Sequence, residues 1–396
     1  MIMWRKVSRL AIFLTACQLA SLSHLSHAQE ALHVSPEKVP TAKVKYEVLI
    51  EGLNHPWGMA FLPQNQGILI TERSGQLRRW HNQELSPPIQ GTPEVFARGQ
   101  GGLLDITLAP SYLKNRFVYL SYAKADASGR SSTALGYGRL SEDHQKLENF
   151  TEVFEQQPKL SSGLHYGNRI VFGPKGFLFL ALGDNNQRST AQDLNKHQGK
   201  IVRLQDADRP PVDNPFLNTP DAKPEIWSYG HRNQQGAAFN PWTHQLWTHE
   251  HGPRGGDEIN IIMPGVNYGW PIVTHGINYS GDKIPEAIGE SAPNMQDPVY
   301  YWPKSPAISG MAFYDDKRFP QWQNSLFIGA LAGQRLIRLS LDKKGQNIIA
   351  EENLLTELGE RIRDVRVGLD GYVYVLTDSS NGKLIRIEPA IEQAPD

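Results

Sequence analysis

Cysteine is nearly missing from this sequence. The single one, Cys17, lies within the first 28 of 396 residues. The chain beyond it therefore has no disulfide and no thiolate metal site, and must rely on its apolar core or on a metal held by other ligands. Long apolar runs are missing too. The run near the start, "LAIFLTA", is too short to span a bilayer, and none of membrane length follows. There is no basic excess: 40 Lys and Arg face 41 Asp and Glu, and without Arg5, Lys6 and Arg9 the balance is 37 to 41, a net of −4. That leaves no cationic field for nucleic acid. No stretch carries a sustained 3.6-residue apolar period, so long amphipathic helices are not expected.

What is present at the start reads as an export signal. "MIMWRKVSR" is basic and free of acid, the apolar run follows, and "SHAQ" offers a small-residue cut after Ala28. "LTAC", ending at Cys17, also reads as a lipobox that would lipidate that cysteine. The expectation is an exported, periplasmic protein. Residues 1–28 form its leader (1–16 if Cys17 is lipidated), 29–43 a linker, 44–390 one domain and 391–396 a tail.

The rest of the chain repeats itself. An apolar strand, a turn with Pro, Asp or Gly, and a second apolar strand recur six times, often followed by a short strand carrying Arg. The copies begin "GMAFLPQNQGILIT", "LLDITLAPSYLKNRFVYLSY", "RIVFGPKGFLFLALGD", "GAAFNPWTHQLWTHEHG", "GMAFYDDKRFPQWQNSLFIGAL" and "RDVRVGLDGYVYVLTD". Short β-branched and aromatic strands between Gly, Pro and Asn turns predict an all-β, six-bladed β-propeller. The lone strand "VKYEVLI" from Val44 is expected to pair into the last blade and close the ring. A two-sheet sandwich is the alternative, but 35 glycines and six repeats favour radial closure. A propeller places its ligand site on the central axis, where loops from every blade converge.

The informative residues are then the polar ones leading into each blade. "ARGQGGLLD" offers Gln100, "SSGLHYGNR" His165, "YGHRNQQG" Arg232 and Asn233, and "GERIRDVR" Arg361 and Arg363. Taken singly, each reads as readily as a turn residue or an ion-pair partner. Their shared place in the repeat points them into one funnel. A base, cations and amide donors together suit an anionic ligand beside a proton-transfer step.

Residues 248–270, "THEHGPRGGDEINIIMPGVNYGW", are the densest polar stretch. His249 and His251 share a face of a strand and could ligate zinc, but no third ligand follows at suitable spacing. Gly252–Pro253 reads as a turn exposing carbonyls. With Asp257, Glu258 and the carbonyls near Tyr268 it offers hard oxygens, which favour Ca2+.

Across nearly the whole mature chain the sequence resembles the soluble quinoprotein glucose/sorbosone dehydrogenases, specifically the periplasmic aldose sugar dehydrogenases that use pyrroloquinoline quinone (PQQ). The motifs that carry it are "GQGGLLD", "HYGNRIVFGPKGFLFLALGDNNQR", "EIWSYGHRNQQG", "EHGPRGGDEINI", "NYGWP", "GINYSGDKIPEA" and "RIRDVRVGLDGYVYVLTD". The resemblance implies a six-bladed propeller that oxidises C1 of an aldose to a lactone. It implies His165 as general base and Arg232 as the cation beside the quinone oxygen. It implies cofactor contacts from Gln100, Arg232, Asn233, Tyr279, Ala330, Leu331, Ala332, Arg361, Ile362 and Arg363. Gly252 and Pro253 would hold the Ca2+ that also meets PQQ, and Glu258 and Tyr268 a second Ca2+.

Two positions depart from the family. Leu164 stands before the base where the family often has an acid or Asn. Ala332 stands where it often has a Lys for a PQQ carboxylate. Arg335, three residues on, is expected either to swing back in that lysine's place or to be an ordinary strand residue. An aldose is the implied substrate, and a small redox protein or a quinone the implied electron acceptor. No nucleic-acid partner and no membrane span are expected, and the oligomer is a monomer or homodimer. The rival functions are a calcium-dependent propeller lactonase and a non-catalytic carbohydrate-binding propeller.

Overall fold

The structure, a computed structural model, describes residues 36–39, 44–205 and 209–390. The leader, Cys17 and the tail lie outside the described residues, as does most of the expected linker. Among the described residues no helix is long and apolar enough to cross a membrane. In these residues helix is limited to the turn Tyr112–Asn115 and short 3-10 segments.

The six repeats fold into six antiparallel sheets of four consecutive strands each, with one exchange at the closure. Their innermost strands are Pro56–Phe61, Leu103–Leu108, Gly167–Phe172, Gln234–Phe239, Ile308–Tyr314 and Ile362–Val367, taken here as blades 1 to 6. Each innermost strand packs against the next, and the sixth returns to the first, so the ring is closed. Blade 6 takes its outermost strand from the other end of the chain: Val44–Leu53 runs antiparallel to Gly382–Pro389. Closure by the N-terminal strand is thus as expected, three residues longer than "VKYEVLI". Glu37–Lys38 adds a short parallel strand outside blade 5.

An apolar layer fills each junction between blades. Leu69 and Leu77 of blade 1 meet Leu103 and Val118 of blade 2. Phe327 and Leu336 of blade 5 meet Val365 and Val375 of blade 6. Equivalent clusters occupy the other four junctions. Period-two alternation along each strand buries both faces of every sheet, since each blade has a neighbour on either side.

Every innermost strand also slips register against its second strand within its first residues. An extra residue at such a bulge re-aims the side chains on either side of it. Second residues Trp57, Leu104, Asn168, Gln235 and Arg363 consequently line a cavity on the axis. Third residues close the axis: Asp105, Arg169 and Asp364 form a buried ion network with Arg366. Room for it comes from the third residues of blades 1 and 5, both glycine. A Cβ on Gly310 would lie 2.2 Å from Asp364 Oδ1, and one on Gly58 3.0 Å from Asp105 Oδ1.

Candidate functional site

The axial cavity measures about 220 Å3 and draws its wall from all six blades. Gln100, Asn233, Arg361 and Arg363 line it, as their shared place in the repeat predicts. Leu331 lines it too, while Ala330 and Ile362 beside these positions have side chains buried in the core. Trp57, Arg73, Tyr166, His251 and Asp378 complete the polar and aromatic wall.

His165 stands at the lead-in to blade 3 in a left-handed conformation, φ 50°. Its amide N–H donates to Gln100 Oε1 at 2.8 Å. Its Nδ1 lies 2.8 Å from Asp184 Oδ1, and Trp270 Nε1 donates to the other oxygen of the same carboxylate at 2.8 Å. A carboxylate accepts, so Nδ1 carries the proton and Nε2 keeps its lone pair. Nε2 has no protein partner among the described residues. The open question of what orients His165, with Leu164 before it, is answered by Asp184 from the far end of the neighbouring strand. Burial pulls the imidazole below its ordinary range, Asp184 opposes that, and nearby Arg232 adds to it. The ring is a neutral base at neutral pH.

Arg232 is buried beside this pair. Its carbonyl accepts from the Asp184 amide at 2.8 Å, its Nη1 donates to the His251 carbonyl at 3.1 Å, and its guanidinium lies 5.3 Å from the Trp270 ring centre. Glu250 holds its amide N–H and also bonds His231 Nδ1 at 2.9 Å. Arg361 and Arg363 converge on Asp378 Oδ2 at 3.4 and 2.7 Å. Burial would raise the Asp378 carboxyl, but the charge of Arg363 and the hydrogen bond from His55 outweigh it and hold it below the ordinary carboxylate range.

Of the expected cofactor contacts, Arg232, Tyr279, Ala330, Ala332 and Ile362 are not among the residues that line the cavity, and neither are His165 and Arg335. Tyr279 is 75% exposed, although it contributes to the electrostatics of Arg232. Ala332 is exposed. Arg335 turns back on its own hairpin, Nη1 donating to the Gly333 carbonyl at 3.3 Å.

The stretch at 248–270 divides its work. His249 is fully buried, and His251 Nε2 bonds the Ile308 carbonyl at 2.5 Å, so the two do not form a zinc pair. The oxygens of Asp257 accept from the amides of Gly252 at 3.1 Å and Ile308 at 3.2 Å, bracing the turn. That turn has no room for a side chain, since a Cβ on Gly252 would meet the Gly255 carbonyl oxygen at 2.2 Å. The buried carbonyls of Gly252 and Pro253 accept no hydrogen bond among the described residues. Among those residues no group of three His, Cys, Asp or Glu side chains is placed to hold a metal. A cation here would therefore draw on main-chain oxygens, the hard-donor chemistry that suits Ca2+. Glu258 is crowded: burial, then the charges of Glu250, Asp257 and Asp297, push its carboxyl up, with Asn260 alone bonding it in relief. A cation bound here would relieve the repulsion among these carboxylates. The Tyr268 phenol is engaged by Ile261 and Met263, leaving its carbonyl as donor.

The profile of the glucose/sorbosone dehydrogenase family matches residues 53–386. The chain belongs to this family. As a glucose/sorbosone dehydrogenase relative it is an oxidoreductase of the sugar dehydrogenase class. It is 56% identical over 349 residues to the aldose sugar dehydrogenase YliI of Escherichia coli K12, covering 88% of this chain and 94% of that protein. It is 26% identical to quinoprotein glucose dehydrogenase B of Acinetobacter calcoaceticus, over 93% and 92% of the two chains. The apo-form crystal structure of the soluble E. coli aldose sugar dehydrogenase superposes with TM-score 0.86 at 55% identity, over 88% of this chain and all of that one. The PQQ-bound aldose sugar dehydrogenase of Streptomyces coelicolor superposes with TM-score 0.68 at 28% identity, over 88% of this chain and 100% of that one.

Sequence reasoning missed Asp184, Trp270, Asp378 and Arg73. A signal for the two acids exists. Glu72, Asp184, Glu250 and Asp378 all stand at or just past the end of a blade's second strand. Each braces a residue leading into a blade: Asn54, His165, Arg232 and Arg361 respectively. Counting repeat positions for acids as well as for bases would have paired them.

Proposed function

We propose that this protein is a periplasmic quinoprotein that oxidises the C1 hydroxyl of an aldose to the lactone, using PQQ and Ca2+. The observation that carries the reading is the His165–Asp184 pair beside Arg232, at the edge of an axial cavity whose wall holds three arginines. PQQ carries three carboxylates, and a cavity with Arg73, Arg361 and Arg363 against Asp378 fits such an anion. Nε of Arg73 and of Arg363 is buried without a partner, as expected where a ligand completes the wall.

The arginines of the cavity would hold PQQ, which would supply a hydride acceptor, and the Gly252 and Pro253 carbonyls would hold a Ca2+ that would make it more electrophilic. The protein's own share is proton handling and electrostatics. His165 Nε2 takes the proton of the anomeric hydroxyl. Asp184 keeps the ring in the tautomer that allows this and stabilises the imidazolium that results. Arg232, its guanidinium held by the His251 carbonyl and against the Trp270 ring, stabilises negative charge without rearranging. A lactonase would instead need several acids around a metal-bound water, and Asp378 is the one acid of the cavity wall. A binding module would have no use for an oriented base.

Reconstitution tests the reading. Apo-protein given PQQ and Ca2+ should develop reduced-cofactor absorbance on adding an aldose, and unchanged absorbance with every aldose tried would reject it. Export is tested separately: mass spectrometry of the secreted protein should find Gln29 at the N-terminus, whereas an acylated Cys17 would establish the lipoprotein form.

A further inference from the structure

Three arginines line the axial cavity, and they are not equivalent. Arg361 and Arg363 share Asp378, which also accepts from His55. Arg73, just past the second strand of blade 1, has no carboxylate within ion-pair distance among the described residues. Its one side-chain hydrogen bond runs from Nη2 to the Gly99 carbonyl at 2.7 Å. Its Nε is buried without a partner. A guanidinium offers five N–H donors, and half-buried Arg73, with one of them given to Gly99, keeps the others for a ligand in the cavity. The cavity wall thus holds a surplus of positive charge, and the part that no acid of the protein answers is on Arg73.

The same cavity lacks a cation elsewhere. Ala332 has no charge to offer, and Arg335 folds back on Gly333 rather than reaching the wall. We propose that Arg73 is a direct receptor for a carboxylate of the bound cofactor, supplying the cation that neither Ala332 nor Arg335 provides. It is a binding residue, with no part in proton transfer. The inference rests on the PQQ reading above.

Titrating apo-protein with PQQ in excess Ca2+, followed by fluorescence, tests it. Arg73→Ala should raise Kd about tenfold to a hundredfold, the range for losing a hydrogen bond between charged groups. Arg73→Lys keeps the charge and should recover most of that loss. The wild-type Kd should rise more steeply with added salt than that of Arg73→Ala, because one ion pair has gone. Arg335→Ala should bind as wild type does. The proposal is overturned if Arg73→Ala binds normally, if Arg73→Lys binds as weakly as Arg73→Ala with the same salt dependence as wild type, or if Arg335→Ala shows the larger loss. Failure of the wild type to take up PQQ would reject the cofactor reading itself. Normal uptake by wild type and Arg73→Ala alike would reject the arginine alone.

Discussion

The proposed chemistry turns on one imidazole whose two nitrogens have different neighbours. Nδ1 is claimed by Asp184, and under the proposed reading Nε2 is left to the substrate. His165→Ala should still bind PQQ but lose turnover by about two to four decades, the usual range for general acid–base catalysis. Steady-state kinetics at saturating PQQ checks this, and near-normal turnover would remove His165 from its role. Asp184→Asn tests the orienting bond. An Asn can present its NH2 to Nδ1 and favour the wrong tautomer, so kcat should fall by at least about a hundredfold. The pH profile adds a sign. The ring titrates below the ordinary imidazole range, so kcat/KM of the wild type should hold on the acid side to below about pH 6.5. It should then fall as the base becomes protonated. Asp184 raises the affinity of the ring for its proton, so its loss should move that acid limb to lower pH still. A limb that moves to higher pH would contradict the assignment.

At the scale of the element, the bulge at the start of each innermost strand is what makes a site out of a propeller. It turns two successive residues toward the axis, one to the cavity and one to the ion network below. Glycine is obligatory where a charged group crosses the axis. Gly310→Ala puts a Cβ 2.2 Å from Asp364 Oδ1 and 2.7 Å from backbone, with nothing soft to yield. It should cost about 1–3 kcal/mol or more, read as a clear fall in Tm. Gly289→Ala, whose Cβ meets only the Ser291 carbonyl oxygen at 3.6 Å, should stay within about 0.5 kcal/mol of wild type. Equal Tm values for the two variants would mean that the axis is looser than its packing implies.

For the whole molecule, stability rests on ring closure and interblade cores, because the one cysteine allows no internal disulfide. Blade 6 borrows Val44–Leu53 from the start of the chain, so the first and last strands of the domain hold each other. The crowding of Glu258 beside Glu250 and the bare Gly252 and Pro253 carbonyls mean that the proposed Ca2+ would stabilise the native state by mass action. Prolonged chelation should lower Tm and abolish activity, and Ca2+ with PQQ should restore both. Unchanged Tm and activity after chelation would reject the calcium reading of residues 248–270.

Much of this was determined by sequence alone. Strand periodicity and turn residues specify six copies of one unit, and six copies that bury both faces can close only on themselves. Their repeat position pointed Gln100, His165, Arg232, Asn233, Arg361 and Arg363 into one funnel, and Gln100, Asn233, Arg361 and Arg363 line the axial cavity while His165 and Arg232 do not. Long-range pairing was not legible. Asp184 meets Trp270 across 86 residues, and Arg366 meets Asp105 across 261. Such partners are set by where the ring brings strand ends together, and no local pattern records that. Tertiary packing likewise decided that Asp257 braces a turn, that Arg335 stays in its hairpin, and that Arg73 faces the cavity without an acid. Each outcome depends on which donors and acceptors are within reach after folding, and a one-dimensional pattern of residue types does not contain those distances.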